Sequence, residues 1–485
     1  MSSYNILELV DALPRFEQFR FDKPINWKIK SGENWALIGP NGAGKTILTD
    51  IISGKYTLKS GQIQVYDPEG AETSISKVIK TVAFKDIYSI TDLRNSYYQQ
   101  RWNRGDERNL PLVNDLFVDS DQLYLQSLVA LFGIQGLMEK EINLLSSGEL
   151  RKILIIRALL SQPKLLILDN PYIGLDSRSR DTLNDLFSQL ITINRVQLVL
   201  VVSNPADIPD CIDKILPIAD KHLYDAASRK EFLKNKGFIS QLFPETKTST
   251  LNEIVSLYPI LDKTFEYAIA MKNLCVKYGS RTILKNLNWQ VKQGEKWALL
   301  GANGSGKSTL LSLVCGDNPQ AYANDIRLFD NKRGSGESIW DIKKRIGYLS
   351  PEMHLYYMTD ARCLDVVGSG FFDSIGIYRK CNQEQEVLAG KWMQIFGVDH
   401  LKERSFLSIS SGEQRLVLLA RAFVKNPELL ILDEPLHGLD ISNKKRVKQI
   451  IEDFCDENKS LIYVTHYKDE IPAVVDKQLE LKIEN

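Results

Sequence analysis

Shifted along itself by 262 positions, the chain lays Phe16 on Tyr278, Trp27 on Trp289, Trp35 on Trp297 and Lys45 on Lys307. At a shift of 264, Leu145-Ser146-Ser147-Gly148-Glu149 falls on Ile409-Ser410-Ser411-Gly412-Glu413, and Leu165-Leu166-Ile167-Leu168-Asp169 on Leu429-Leu430-Ile431-Leu432-Asp433. A repeat sustained with so little drift means one fold made twice. We therefore expect a first domain over 1–224, a linker over 225–264 and a second domain over 265–485. With 485 residues, 44% of them apolar, each copy is long enough to bury its own core.

Within each copy, short apolar runs alternate with longer amphipathic stretches. Trp35-Ala36-Leu37-Ile38 and Trp297-Ala298-Leu299-Leu300 read as buried strands entering a glycine turn, with a helix from Lys45 or Lys307 onward. Leu165–Leu168, Leu198–Val202, Leu429–Leu432 and Leu461–Val464 read as further buried strands. The pattern predicts an α/β fold in which each domain has a mainly parallel core sheet flanked by helices. Residues 225–264 carry Pro244 and a Thr/Ser patch and read as a mixed linker with some helix.

Lysine plus arginine equals aspartate plus glutamate at 61 each, so the summed field attracts neither nucleic acid nor an acidic membrane. There is no signal-peptide pattern and no apolar run of about 18 residues, which points to a soluble cytoplasmic chain. Cys211, Cys275, Cys315, Cys363, Cys381 and Cys455 form no CxxC pair, excluding a zinc, iron-sulfur or disulfide framework.

Each glycine turn fits GxxxxGK[ST]: Gly39-Pro40-Asn41-Gly42-Ala43-Gly44-Lys45-Thr46 and Gly301-Ala302-Asn303-Gly304-Ser305-Gly306-Lys307-Ser308, the latter followed by Thr309. Glycines at this spacing let successive backbone N–H groups turn toward phosphate oxygens, and the following helix adds its positive end. Lys45 and Lys307 would reach the outer phosphates, while Thr46 and Ser308 would offer a hydroxyl to magnesium. Asp169 and Asp433, at the carboxyl ends of central strands, would hold the same ion. The cofactors expected are ATP and Mg2+.

The two copies then diverge. Glu434 follows Asp433 and can polarise an attacking water, whereas Asn170 follows Asp169 and has no oxygen of comparable basicity. His466 follows the last core strand of the second copy, and Asn204 stands there in the first. A histidine can contact the γ-phosphate and relay a proton; asparagine can only hydrogen-bond. Turnover is expected at the second site, with Glu434, His466 and Lys307 as its catalytic groups, and retention of nucleotide at the first. The remaining histidines, His222, His354, His400 and His437, have no metal spacing and are assigned surface or structural roles.

Phosphate loop, Ser-Ser-Gly-Glu signature, strand-end Asp-Glu, Gly-Leu-Asp turn (174–176 and 438–440) and switch histidine, in that order, resemble the ATP-binding-cassette ATPases over nearly the whole chain outside the linker. The resemblance implies an ATP hydrolase with two P-loop domains, each carrying a helical signature subdomain, closing head to tail on ATP. Ser147 and Gly148 would then cover the second-domain nucleotide, and Ser411 and Gly412 the first. It further implies that Tyr278 stacks on adenine, with Phe16 as its counterpart. Residues 334–344 and 372–378, with Asn204 at the first switch position, resemble the bacterial ModF and photorepair group of molybdate-associated cassette proteins.

One departure bears on the partner. The family's usual glutamine, after the strand that follows the phosphate loop, is absent from 82–86 and 346–352; Asp86 or Glu352 would take its place on the metal. Tyr97, Tyr98, Arg101, Trp102, Arg104 and Arg108 form an aromatic–arginine segment that suits a protein interface, a plain packed subdomain or base stacking. Two functions remain open. One is the ATP-binding component of a molybdate-type transporter, docked peripherally on a separate permease at the inner face of the plasma membrane. The other is a soluble ATP-gated switch, such as a translation or DNA-repair factor. Six basic and five acidic residues over 225–264 lack the footprint of a nucleic-acid-binding linker.

Overall fold

The computed structural model describes residues 4–482, except 84–110, 245–250, 259–264 and residues 68, 143, 144, 146, 176, 194, 195, 280, 352, 354–356, 358, 359, 375 and 377. Two compact units divide the chain: the first takes the described residues before 245 together with Gly438–Ser442, and the second takes those from 251 onward apart from that segment.

Among its described residues the first unit has ten strands: β1 (Asn5–Pro14), β2 (Ile25–Lys30), β3 (Trp35–Ile38), β4 (Leu58–Val65), β5 (Ile79–Ala83), β6 (Leu165–Asp169), β7 (Gln197–Val202), β8 (Lys214–Ala219), β9 (His222–Leu223) and β10 (Ala227–Ser228). Its core sheet runs β10-β8-β3-β7-β6-β5, and every pairing from β8 to β5 is parallel. β6 and β7 are buried at every position, the pattern of strands covered on both faces. Leu165 and Ile167 face one core, shared with Leu48, Ile51 and Ile52 of the helix Lys45–Ile52 and with the antiparallel sheet β2-β1-β4. Leu166 and Leu168 face the other, shared with the helices Gln122–Phe132, Ser147–Leu159 and Ser177–Ile193. The alternation follows from the two-residue period of a strand. β2, with every second residue buried, covers only one side.

The second unit has β11 (Tyr267–Tyr278), β12 (Arg281–Lys292), β13 (Lys296–Gly301), β14 (Asp325–Leu328), β15 (Asn331–Lys332), β16 (Ile346–Leu349), β17 (Leu429–Asp433), β18 (Ser460–Val464) and β19 (Lys477–Leu481). Its all-parallel sheet, β16-β17-β18-β13-β19, repeats the order β5-β6-β7-β3-β8 of the first. β12-β11-β14-β15 is the antiparallel partner. Even the tryptophan pair recurs edge-to-face, Trp27 with Trp35 at 5.4 Å and Trp289 with Trp297 at 6.1 Å. Fold class and repeat are as the sequence predicts. The small antiparallel sheets are an addition: their strands alternate only in part and carry no long apolar run.

The segment expected as linker packs at both ends. β10 pairs with β8, and Phe232, Leu242 and Phe243 enter the core of the first unit. Farther on, Tyr258 accepts a hydrogen bond from Trp392 Nε1 at 2.8 Å and donates to the Val424 carbonyl, tying the end of the segment into the second unit. Among the described residues, no helix is long and apolar enough to cross a membrane.

Candidate functional site

Both phosphate loops leave the end of a buried parallel strand and open an eight-residue helix, Lys45–Ile52 or Lys307–Val314. The residue before each lysine is left-handed, Gly44 at φ 103° and Gly306 at φ 97°, a conformation that glycine adopts without strain. A Cβ on Gly306 would also stand 2.9 Å from Leu284. Asn41-Gly42-Ala43 and Asn303-Gly304-Ser305 carry the turn between strand and helix, with Ala43 N–H donating to Pro40 and Ser305 N–H to Ala302, each at 3.2 Å. Lys45 Nζ donates to the carbonyls of Gly39 and Pro40, both at 2.7 Å, and Lys307 Nζ to Gly301 at 2.7 Å and Ala302 at 3.1 Å. Each ammonium is thus held over its own loop, where a phosphate oxygen can replace a carbonyl as acceptor. Thr309, behind Ser308, is buried.

The oxygens expected to bind magnesium meet in the first unit. In the first unit Thr46 Oγ1 donates to Asp169 Oδ2 at 3.0 Å. A hydroxyl and a carboxylate side by side at the mouth of the loop fit magnesium, which prefers oxygen and draws its other ligands from water and phosphate. In the second unit Ser308 opens the helix, and the buried Asp433 ends β17. Among the described residues no group of three or more His, Cys, Asp or Glu side chains could hold a metal ion.

The residue after each aspartate is left-handed as well, Asn170 at φ 53° and Glu434 at φ 52°. Asn170 turns its Nδ2 to Asp169 Oδ1 at 2.9 Å. Glu434 instead lies between two imidazoles: His437 Nε2 is 2.8 Å from Oε2, and His466 Nε2 is 3.2 Å from Oε1. Burial pushes the Glu434 carboxyl toward protonation, but His437, His466 and Lys307 more than offset this and hold it below its ordinary value. It is therefore a buried carboxylate in its basic form. Neither of its oxygens takes an in-line hydrogen bond among the described residues, so lone pairs remain for a water. The first unit has no such arrangement: Asn204 Oδ1 caps a short turn by accepting from Ala206 N–H at 3.0 Å.

The signature segments open helices, Ser147–Leu159 and Ser411–Phe423. In the second, Ser410 caps the helix reciprocally with Glu413, leaving the N–H groups of Ser411 and Gly412 in the first turn, where an anion binds best. Tyr278 ends β11 half-buried and accepts a hydrogen bond from Asn318 Nδ2 at 2.8 Å. Phe16 is 56% exposed and meets Phe19 edge-on. Asp86, Glu352 and the Tyr97–Arg108 segment lie outside the described residues.

Two residues here escaped the sequence reading. His437 had no motif to mark it; its signal was its place three residues after Glu434, where the first copy has Ile173. Arg415, in the signature helix, is buried and donates to the carbonyls of Ser350 at 2.9 Å, Asp433 at 2.8 Å and Pro435 at 3.3 Å, and to that of Glu434. Burial brings its guanidinium down to about 10. It pins the backbone that carries Asp433 and Glu434.

Comparison with known proteins agrees with this geometry. The ABC transporter family model matches residues 23–173 and 284–437. The chain is 37% identical to the ABC transporter ATP-binding protein ModF of Escherichia coli (strain K12), over 93% of this chain and 92% of that protein. It is 28% identical to an uncharacterized ABC transporter ATP-binding protein of Schizosaccharomyces pombe, over 96% of this chain and 95% of that one. In fold it is similar to an archaeal ribosome recycling factor solved with a ribosomal stalk protein, at TM-score 0.53 and 18% identity, over 97% of this chain and 87% of that one. With two phosphate loops, two strand-end aspartates and a family match in each half, the chain belongs to the ABC transporter family as a tandem ATP-binding protein and is an ATP hydrolase.

Proposed function

We propose that the protein hydrolyses ATP mainly at the second-domain site and holds nucleotide at the first, with MgATP closing the modules 1–224 and 265–485 head to tail. The observation that carries this is the contrast at one turn: Glu434 is a buried carboxylate between two imidazoles, and Asn170 is an amide bonded to Asp169. Lys307 grips the outer phosphates, and Glu434 takes the proton of the attacking water. His466 steadies the γ-phosphate. Ser308 with Asp433, and Thr46 with Asp169, would hold magnesium, which would supply positive charge against the charge developing on the phosphates. Gly301–Thr309 and Gly39–Thr46 cradle the phosphates, and Tyr278 and Phe16 lie against adenine. Ser147 with Gly148, and Ser411 with Gly412, complete each nucleotide site across the pair.

The likeness to the ABC transporter ATP-binding protein ModF supports a role as the ATP-binding component of a transport system; the runs 334–344 and 372–378 support a molybdate-type one, docked on a separate permease at the cytoplasmic face of the membrane. One observation favours a second reading, a soluble ATP-gated switch: neither 82–86 nor 346–352 contains the glutamine through which such a cassette signals to a permease.

The test is a pair of substitutions. Glu434→Gln is expected to lower steady-state turnover by about 10²- to 10⁴-fold with ATP binding intact, and Asn170→Gln to change the rate by less than about twofold. Equal damage from both would end the asymmetric reading.

A further inference from the structure

His437 has no part in the scheme above, yet it stands against the proposed base. Its Nε2 is 2.8 Å from Glu434 Oε2, and both side chains are nine-tenths or more buried, at 5% and 6% exposure. Its ring also meets Tyr467 edge-on, with centroids 6.2 Å apart, and Tyr467 is the neighbour of His466. One imidazole therefore touches the carboxylate on one side and the histidine-bearing loop on the other.

We propose that His437 is a positioning residue for the second-domain reaction, fixing the Glu434 carboxylate through Oε2 so that the other oxygen can serve the attacking water. The inference rests on Glu434 being the base. A carboxylate on a flexible side chain has rotamer freedom to lose, and one contacted on each oxygen from opposite elements keeps a single orientation. The two contacts are not equivalent. His466 follows β18 on a loop and is the group assigned to the γ-phosphate, so its hold on Glu434 is shared with substrate. His437 sits in the same turn as Glu434, its N–H donating to the Glu434 carbonyl at 3.2 Å, so that turn itself places it. The repeat supports this assignment. In the first copy the same turn closes the same way, Ile173 N–H to Asn170 carbonyl at 3.4 Å, so the backbone needs no histidine there. Where the carboxylate is missing the imidazole is missing too, and Glu434, His437 and His466 are answered by Asn170, Ile173 and Asn204.

The experiment is steady-state kinetics on the full chain. His437→Ile, the first copy's own residue, is expected to lower kcat by about tenfold or more while KM for ATP and equilibrium nucleotide binding stay within about twofold. His437→Gln, whose amide N–H can stand against Oε2 in place of the imidazole, is expected to recover kcat to within about threefold of the parent. A role in packing alone would make the two variants alike or would shift KM and binding with kcat. Either result, or an unchanged kcat in His437→Ile, overturns the proposal. Should the Ile variant fail to fold, His437→Asn, one methylene shorter than Gln, carries the same expectation, and full kcat there overturns it. Glu434→Gln separates the two readings. If it keeps its turnover, the base assignment itself fails; if it loses turnover while His437→Ile keeps kcat, only the inference about His437 fails.

Discussion

At position 170 the chain carries an asparagine at φ 53°, and at 434 a glutamate at φ 52°, each just after the aspartate that ends a central strand. Asparagine tolerates the left-handed region, while glutamate there costs of order 1 kcal/mol or more. The first copy has the residue that suits its backbone, and the second has one that does not. Strain of this kind persists where chemistry needs the side chain, and here the side chain is a carboxylate set between two imidazoles. The comparison teaches that the copies share a scaffold and differ in what the scaffold carries: the first turn holds an amide bonded to its neighbouring aspartate, the second a carboxylate between two imidazoles.

The largest effect that could break the comparison comes from trying to rebuild the second turn inside the first. In a Glu434→Gln chain, adding Asn170→Glu is expected to leave turnover at least about 100-fold below the parent, because Ile173 and Asn204 supply neither imidazole. Recovery to within about tenfold would mean that the carboxylate alone makes a site. A smaller effect concerns the support beneath the turn. Arg415→Leu strips the donor from four carbonyls around Asp433 and Glu434 and is expected to cost about 3 kcal/mol in denaturant unfolding. A cost below about 1 kcal/mol would show that the turn holds itself. The smallest effect sharpens the first copy. Asn170→Ala, at a positive φ and without the bond to Asp169, is expected to lower stability by about 1 kcal/mol while turnover stays as it was.

Much of this was legible in the residues. The apolar runs at 165–169 and 429–433 could only be strands covered on both faces, and the glycine spacing around Lys45 and Lys307 could only be a turn into a helix. The offsets of 262 and 264 then predicted that the two parallel sheets would share one order. What could not be read was contact across turns. His437 is three residues from Glu434 at the end of a strand, where the sequence marks no helix; the turn closed by His437 N–H on the Glu434 carbonyl brings the two side chains together. Arg415 carries no motif in the sequence, and its four carbonyl partners come together only in the fold. The segment 225–264 read as linker because of Pro244, its Thr/Ser patch and its near-balanced charge, and Phe232, Leu242 and Phe243 find their core only in the folded first unit.

The most direct test of the asymmetry follows the nucleotide itself. The protein is loaded with labelled ATP, chased with excess unlabelled MgATP, and the label remaining per chain is counted against the number of ATP molecules hydrolysed. The account predicts that about half of the bound label stays through several turnovers, as nucleotide at the Asn170 site, while the rest leaves within the first. Loss of all the label within a single turnover would contradict it.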